Sequence, residues 1–268
     1  FRSLKEINSK YLIISISPFT FLACILIKLF KKKPIIYLRS DGHEEYKAIF
    51  GYVGLSIYHI MFSILSKISS LVSCREHILN NKAGDTVAPS QITNRWLEDH
   101  KDVQINNIKL LYVGRIKKEK GIYSLLEIIK NNKTSFSLSI VGAEKNSSNT
   151  IAQDNVYVHE VENNEQNLIK HYDDHNIFVL PSYTEGHPMV LLEALARLRP
   201  VVIFKNIEHV VGNKKGIFVA DRNSDSFFQT INHIKENYIH IQQEMKKNKL
   251  PTKDEFLKRF SEIITKLD

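Results

Sequence analysis

Alternation restricts this chain more than any other feature. Short runs of continuous apolar residues are separated by stretches with helical periodicity, and the pattern returns through most of the 268 residues. Strands that read apolar throughout are buried on both faces, and the helices between them act as crossovers, so the pattern predicts an α/β chain with parallel sheets covered on both sides. "YLIISIS" from Tyr11 reads as a strand, "FTFLACILIKLF" as a helix and "IIYLRS" (35–40) as the next strand. "DGHEEY" then reads as a loop, the stretch from about Ile49 to Ser69 as a long helix, and "LVSC" (71–74) as a short strand. Only about three strands fit before a polar, linker-like stretch, "EDHKDVQINN" (98–107). Beyond it, strands are expected at 108–114, 136–142, 156–160, 176–182, 200–205 and 216–220, with helices at 121–132, 164–175 and 189–198. The expected organisation is two doubly wound Rossmann-like domains, a short first one over 1–100 and a second over 107–235, followed by C-terminal helices over 236–268.

Tyr11 to Phe30 approaches the length and apolarity of a membrane span. Pro18 interrupts it, Ser15, Ser17 and Thr20 dilute it, and Lys28 stands near its end, so strand followed by packed helix is the better reading. Cys24 and Cys74 cannot build a disulfide framework and sit in no metal-ligand spacing, which fits a reducing, cytoplasmic setting. A formal charge of +8, from 37 Lys/Arg and 29 Asp/Glu, favours anionic partners. Nucleic acid is not expected among them, because the basic residues are mixed with acids and lack interleaved aromatics.

In wound sheets of this kind ligands bind beyond the carboxyl ends of the strands. Two strand ends carry chemistry. "GRIKKEKG" places Gly114 and Arg115 after the strand at 108–114, with Lys120 opening the next helix. Glycine admits close backbone approach, arginine offers a planar fork, and a helix N-terminus is electropositive, which together describe an anion site suited to a diphosphate. The same residues, with Lys117 and Lys118, also fit a solvated charge cluster. The second strand end is "PSYTEGHPMVLLE", where seven residues stand between Glu185 and Glu193 and Pro188 suits the first turn of a helix. The amides of Met189 and Val190 would then face a ligand in front of that helix. Carboxylates there would repel phosphate but accept hydrogen bonds from hydroxyls of a ribose and a sugar; a capping Glu185 and a surface Glu193 are the alternative.

The order "YVGRIKKEKG…LSIVG…YDDHNIFVLPSYTEGHPMVLLEALA…PVV" resembles the donor-binding half of glycosyltransferase family 4, retaining enzymes of the GT-B fold. The resemblance is strong over 108–205 and weaker before residue 100. It implies a GT-B-like architecture with the first domain truncated, starting about 60 to 100 residues late judged by ordinary domain lengths. It further implies Arg115 and Lys120 on the donor diphosphate, Glu193 on the ribose, Glu185 on the donor sugar, and Gly114, Gly186, Pro188, Met189 and Val190 lining the phosphates. His43, with Asp41 as its rival, would correspond to an acceptor-side histidine near the reacting carbon. The implied activity is metal-independent, cofactor-free transfer from a UDP- or GDP-linked sugar to a saccharide or lipid-linked acceptor, with retention, in surface polysaccharide or lipopolysaccharide synthesis. A non-catalytic nucleotide-binding homologue and a sugar-nucleotide epimerase are the alternatives. Lys28, Lys31, Lys32 and Lys33 beside an apolar helix read either as a peripheral contact with the inner face of a membrane or as a solvated run. Two departures stand out: Leu198 replaces a glycine usual after the "EALA" helix, predicting a rebuilt loop, and "VAPSQI" (87–92) replaces an Asn-Gly turn.

Overall fold

The computed structural model describes residues 9–101, 105–130, 136–144 and 154–267. Two compact units result, one running to Ser90 and taking back the segment from Lys253, the other Gln91–Thr252. The first therefore includes the last helix of the chain.

In the first unit β1 (Leu12–Ile14), β2 (Ile35–Leu38), β3 (Ser70–Ser73) and β4 (Asp85–Thr86) pair in that order, all parallel. The sheet has four strands rather than three, the last being two residues long. Helix α1 (Pro18–Leu29) starts with Pro18 in its first turn and a capping box in which Ser17 N–H donates to Thr20 Oγ1 (2.7 Å) and Thr20 N–H to Ser17 Oγ (3.3 Å). The stretch that resembled a membrane span is thus β1 followed by a 12-residue helix.

Helix α2 runs Gly42–Ile68, so "DGHEEY" is mostly helical rather than a loop. Asp41 looks like a turn residue, but its carboxylate accepts from the amides of His43 (3.0 Å) and Glu44 (3.4 Å) and caps the helix. Gly51, at φ 65° and ψ −154°, kinks α2 at a conformation that favours glycine. By length and composition α2 could cross a bilayer, yet Tyr58, Met61, Phe62 and Leu65 on it fill the core against Cys24 of α1 and Ile36 and Leu38 of β2. The opposite sheet face, Ile35, Tyr37 and Val72, packs on Ile263 and Phe260 of α9 (Lys253–Lys266).

The second unit holds a six-stranded parallel sheet in the order β10-β9-β8-β5-β6-β7. Its strands are β5 (Ile108–Val113), β6 (Phe136–Ala143), β7 (Val156–Glu160), β8 (Ile177–Leu180), β9 (Val201–Phe204) and β10 (Ile217–Ala220). The helices are α3 (Asn94–Leu97), α4 (Ile122–Ile129), α5 (Glu165–Asp174), α6 (Met189–Ala196), α7 (Ser224–Glu236) and α8 (Tyr238–Met245). The central strand β8 is buried at every residue, as its all-apolar sequence requires.

Two ends of this unit are tied by buried charge. Arg197 donates bidentately to Asp173, Nε to Oδ1 and Nη2 to Oδ2 at 2.9 Å each, and its Nη1 also reaches the carbonyls of Trp96 (3.1 Å) and Glu98 (2.6 Å). Arg199 donates from Nε to Tyr172 O at 2.8 Å, and both guanidinium side chains are about as buried as a side chain can be, at 1% residue exposure. Leu198 between them takes the left-handed conformation itself (φ 56°), with its N–H bonded to Leu195 O and that of Arg199 to Ala194 O. This is a complete Schellman ending, so the expected rebuilding of the loop does not occur. A left-handed non-glycine residue costs about 1 kcal/mol, which burial of the leucine side chain at 6% exposure offsets.

Removing one member of a buried ion pair leaves the other charge desolvated, at about 3–5 kcal/mol. Asp173→Ala strands two arginines, and chemical denaturation should show the second unit losing stability in that range; a loss under about 1 kcal/mol, the ceiling for a surface pair, would contradict the arrangement.

Candidate active site

Strand β5 lies between β6 and β8, so the strand order of the second sheet reverses at β5–β8. Loops leaving neighbouring strands on either side of such a point diverge, and a crevice opens at their carboxyl ends. Both strand ends singled out in the sequence are here: Gly114–Lys120 follows β5, and Pro181–Pro188 follows β8.

The backbone of the first loop is fixed from below. Tyr112 Oη–H donates to Arg115 O at 2.8 Å, and Gly114 N–H donates to Val141 O at 2.8 Å. A Cβ on Gly142, at φ 124°, would lie 2.4 Å from Gly114 O, so β6 approaches this turn more closely than any side chain permits. The two loops then lock together. Tyr183 N–H donates to Glu119 O at 3.1 Å. Gly121, left-handed at φ 70°, sits so close to the second loop that a Cβ would fall 1.8 Å from Pro181 O. Arg222, just beyond β10, clamps that loop by donating to Pro181 O (2.8 Å) and Ser182 O (3.1 Å), with its guanidinium 4.0 Å from the centroid of the Tyr183 ring.

Inside this frame Lys120 Nζ donates to Glu185 Oε1 at 2.7 Å, and Ser182 Oγ–H donates to the same oxygen at 2.7 Å. The Glu185 side chain is 10% exposed and that of Lys120 26%, so the pair is partly shielded from water and the cation is held in place. Arg115 extends from the fixed turn into solvent. Pro188 is the N-cap of α6 rather than its first helical residue, and it offers no side-chain acceptor. Met189 and Val190 open the helix, its first turn carries no acid, and amides there have no acceptor within the helix. Gly186 is half-buried beside them.

Glu193 is one turn further in and is not a surface residue: it is 6% exposed, and Tyr172 Oη–H donates to its Oε2 at 2.8 Å. Burial pushes its carboxyl above the usual range, with the tyrosine bond opposing the shift. The same contact with a buried acid raises the Tyr172 phenol well above its ordinary value, burial being the larger cause.

Lys120, Glu185 and the start of α6 are thus brought together in the second unit, while Arg115 stands on the neighbouring loop after β5 with its side chain in solvent. His43 belongs to the first unit, in the first turn of α2. Its ring packs edge-on to Tyr58 (4.7 Å) and Phe62 (5.2 Å), burial holds it below the usual histidine range, and among the described residues its buried Nε2 has no hydrogen-bond partner. Asp41 is committed to capping α2. Sequence reasoning missed Ser182, Arg222, Gly142 and Tyr172. Ser182 and Arg222 follow strands β8 and β10, so the strand-end rule would have reached them; the Tyr172–Glu193 bond links residues 21 apart and left no local trace. A separate cavity of about 470 Å³ lies elsewhere in the unit, lined by residues including His159, Lys170, His171 and Asp174, and contains none of the sequence-predicted residues.

A carboxyl raised by burial supplies stability in full below its unfolded value and loses it as pH rises through the folded one. Glu193→Gln keeps an acceptor for Tyr172 without the buried charge, so it should stabilise the protein at pH 8 relative to the parent and change little at pH 4. Urea unfolding at the two pH values checks this; a variant less stable at pH 8 than at pH 4, in parallel with the parent, would contradict it.

Residues 107–237 match the family described as Glycosyl transferases group 1. Curated relatives include CapM of Staphylococcus aureus, named for capsular polysaccharide biosynthesis, at 31% identity over 143 residues, covering 48% of this chain and 37% of that protein. TuaC of Bacillus subtilis (strain 168), a glycosyltransferase assigned to teichuronic acid biosynthesis, is 28% identical over 131 residues, covering 48% of this chain and 33% of its own. The chain therefore matches these relatives over about a third of their length. Among solved structures, HepE of Anabaena in complex with UDP superposes with a TM-score of 0.77 at 13% identity, over 99% of this chain and 81% of that one, a likeness of fold. With its two parallel sheets, four-stranded and six-stranded, the architecture is GT-B-like, and its second unit matches the group 1 glycosyl transferases.

Proposed function

We propose that the chain is part of a retaining glycosyltransferase that moves a sugar from a nucleotide-sugar donor to a saccharide or lipid-linked acceptor in surface-polysaccharide synthesis. The observation that carries the reading is the Lys120–Glu185 pair, set between two interlocked strand-end loops and beside the open N-terminus of α6. The names of the curated relatives, which refer to capsular and teichuronic polymers, support the polymer class.

The charge balance follows from this arrangement. In glycosyl transfer the bond between the anomeric carbon and the diphosphate oxygen breaks, the acceptor oxygen bonds to that carbon from the same face, and the leaving nucleotide gains negative charge. Lys120 and the amides of Met189 and Val190 supply positive charge and donors already in position, and Arg115 reaches the same phosphates from the β5 loop, so stabilising that charge requires little reorganisation beyond the turning of one arginine side chain. Glu185 has one oxygen engaged with Lys120 and Ser182, which leaves the other to accept from a sugar hydroxyl. Glu193, anchored by Tyr172 through Oε2, has its other oxygen for the ribose. The cation and the acid are tied to each other, so the sugar contact and the phosphate contact are set at one mutual distance. His43, pushed below the usual histidine range by burial, would serve the acceptor side in the first unit.

HepE is solved with UDP and with UDP-glucose, which places uridine nucleotides first among those to try. Calorimetric titration of the chain with UDP, GDP and ADP should show micromolar binding of one of them, UDP being the expectation. Arg115→Ala should weaken it about tenfold or more, the worth of a charge-assisted hydrogen bond. Binding of none, or binding indifferent to Arg115, would contradict the site.

A further inference from the structure

We propose that the outer face of α1 and α2 docks on the surface of an anionic phospholipid bilayer. The two helices pack side by side on one face of the four-stranded sheet, their inner residues forming one core with β2 and β3. Their outer residues are apolar as well. Phe19 (85% exposed), Leu22 and Leu29 (72%) recur on α1 at helical spacing, and Tyr52 (78%), Val53 (70%) and Ile60 do so on α2. Isolated exposed apolar residues are ordinary, but a two-helix layer of them marks an interaction surface.

Charge decides which one. Between Ser9 and Ser69 the chain carries eight Lys/Arg against three Asp/Glu, and the three acids, Asp41, Glu44 and Glu45, are confined to the N-terminal end of α2. Lys28, Lys31 and Lys33 are exposed at the end of α1, and Lys67 is exposed at the end of α2. Apolar residues flanked by lysines match the acyl boundary and the anionic headgroups of a membrane interface. A second copy of the chain would set lysine against lysine around the same apolar face, which argues against self-association. Spanning is opposed by the buried side of α2, which is committed to the core through Tyr58, Met61, Phe62 and Leu65. The helices therefore lie on the bilayer, in its plane. This surface belongs to the first unit and its function requires no nucleotide, so it stands or falls separately from the donor-site reading.

The test is flotation of the full chain with vesicles of phosphatidylcholine alone or mixed with phosphatidylglycerol. Binding is expected to the mixed vesicles and to fall with salt. The triple change Lys28→Glu, Lys31→Glu and Lys33→Glu should weaken it about a hundredfold, at about fivefold for each cation removed. Phe19→Ser with Val53→Ser, both at exposed positions, should weaken it without changing the unfolding midpoint. Phe19→Trp gives a direct reporter, because the native Trp96 is buried in the other unit; its emission should shift to the blue with mixed vesicles only. Equal or no binding to the two vesicle types, or binding unaffected by the lysine changes, would overturn the proposal. So would a wild-type dimer that Phe19→Ser with Val53→Ser converts to monomer, which would make this face an interface between copies.

Discussion

Pairing of β5 with β8 is the contact on which the candidate site depends. The two strands are separated by the whole β6–β7–α5 excursion, yet they lie edge to edge in parallel, with Leu110 opposite Ile177 and Leu111 opposite Phe178. From that register the loops after each strand emerge side by side, and Lys120 meets Glu185 across them. Every contact that tightens the loops, from Gly121 against Pro181 O to the Arg222 clamp, presupposes the pairing. Ligand chemistry is added to a geometry that the hydrophobic sheet has already fixed.

Polar burial does a second job nearby. Tyr172 and Asp173 on α5 bond to Glu193 on α6 and to Arg197 at its C-cap, so the helix that presents its N-terminus to the crevice is held to α5 by two adjacent side-chain pairs. Glu193 is in this respect both a structural residue and a candidate ligand. An acid kept in a desolvated place by one tyrosine is costly in the empty protein, and a hydroxyl-bearing ligand that satisfied its remaining oxygen would lower that cost. Fixed orientation of α6 and affinity for such a ligand come from the same residue.

Much of this was legible in the sequence, for identifiable reasons. The apolar runs at 108–113, 177–180 and 201–204 could only be buried strands, and the strand-end rule led directly to Arg115, Lys120 and Glu185. The errors share a cause, which is that local residue preferences were overruled by partners distant in sequence. Asp41-Gly42 has turn composition, but its aspartate caps a helix. Leu198 stands where glycine suits the backbone, and adopts the glycine conformation because its side chain is buried. Arg197 and Arg199, on which the sequence placed no expectation, are buried by an aspartate 24 and 26 residues upstream. The exposed outer layer of α1 and α2 was invisible because periodicity shows that a face is apolar, not whether another element covers it.

The central claim is that the crevice at the ends of β5 and β8 takes a nucleoside diphosphate in front of α6. Hydrogen exchange followed by mass spectrometry, with and without saturating UDP, tests it most directly because it reports location rather than affinity. Slowed exchange is expected in peptides covering Gly114–Gly121 and Glu185–Leu191, where the backbone donors of the site lie. Protection confined to the cavity lined by His159 and His171, with those two segments unchanged, would contradict the account.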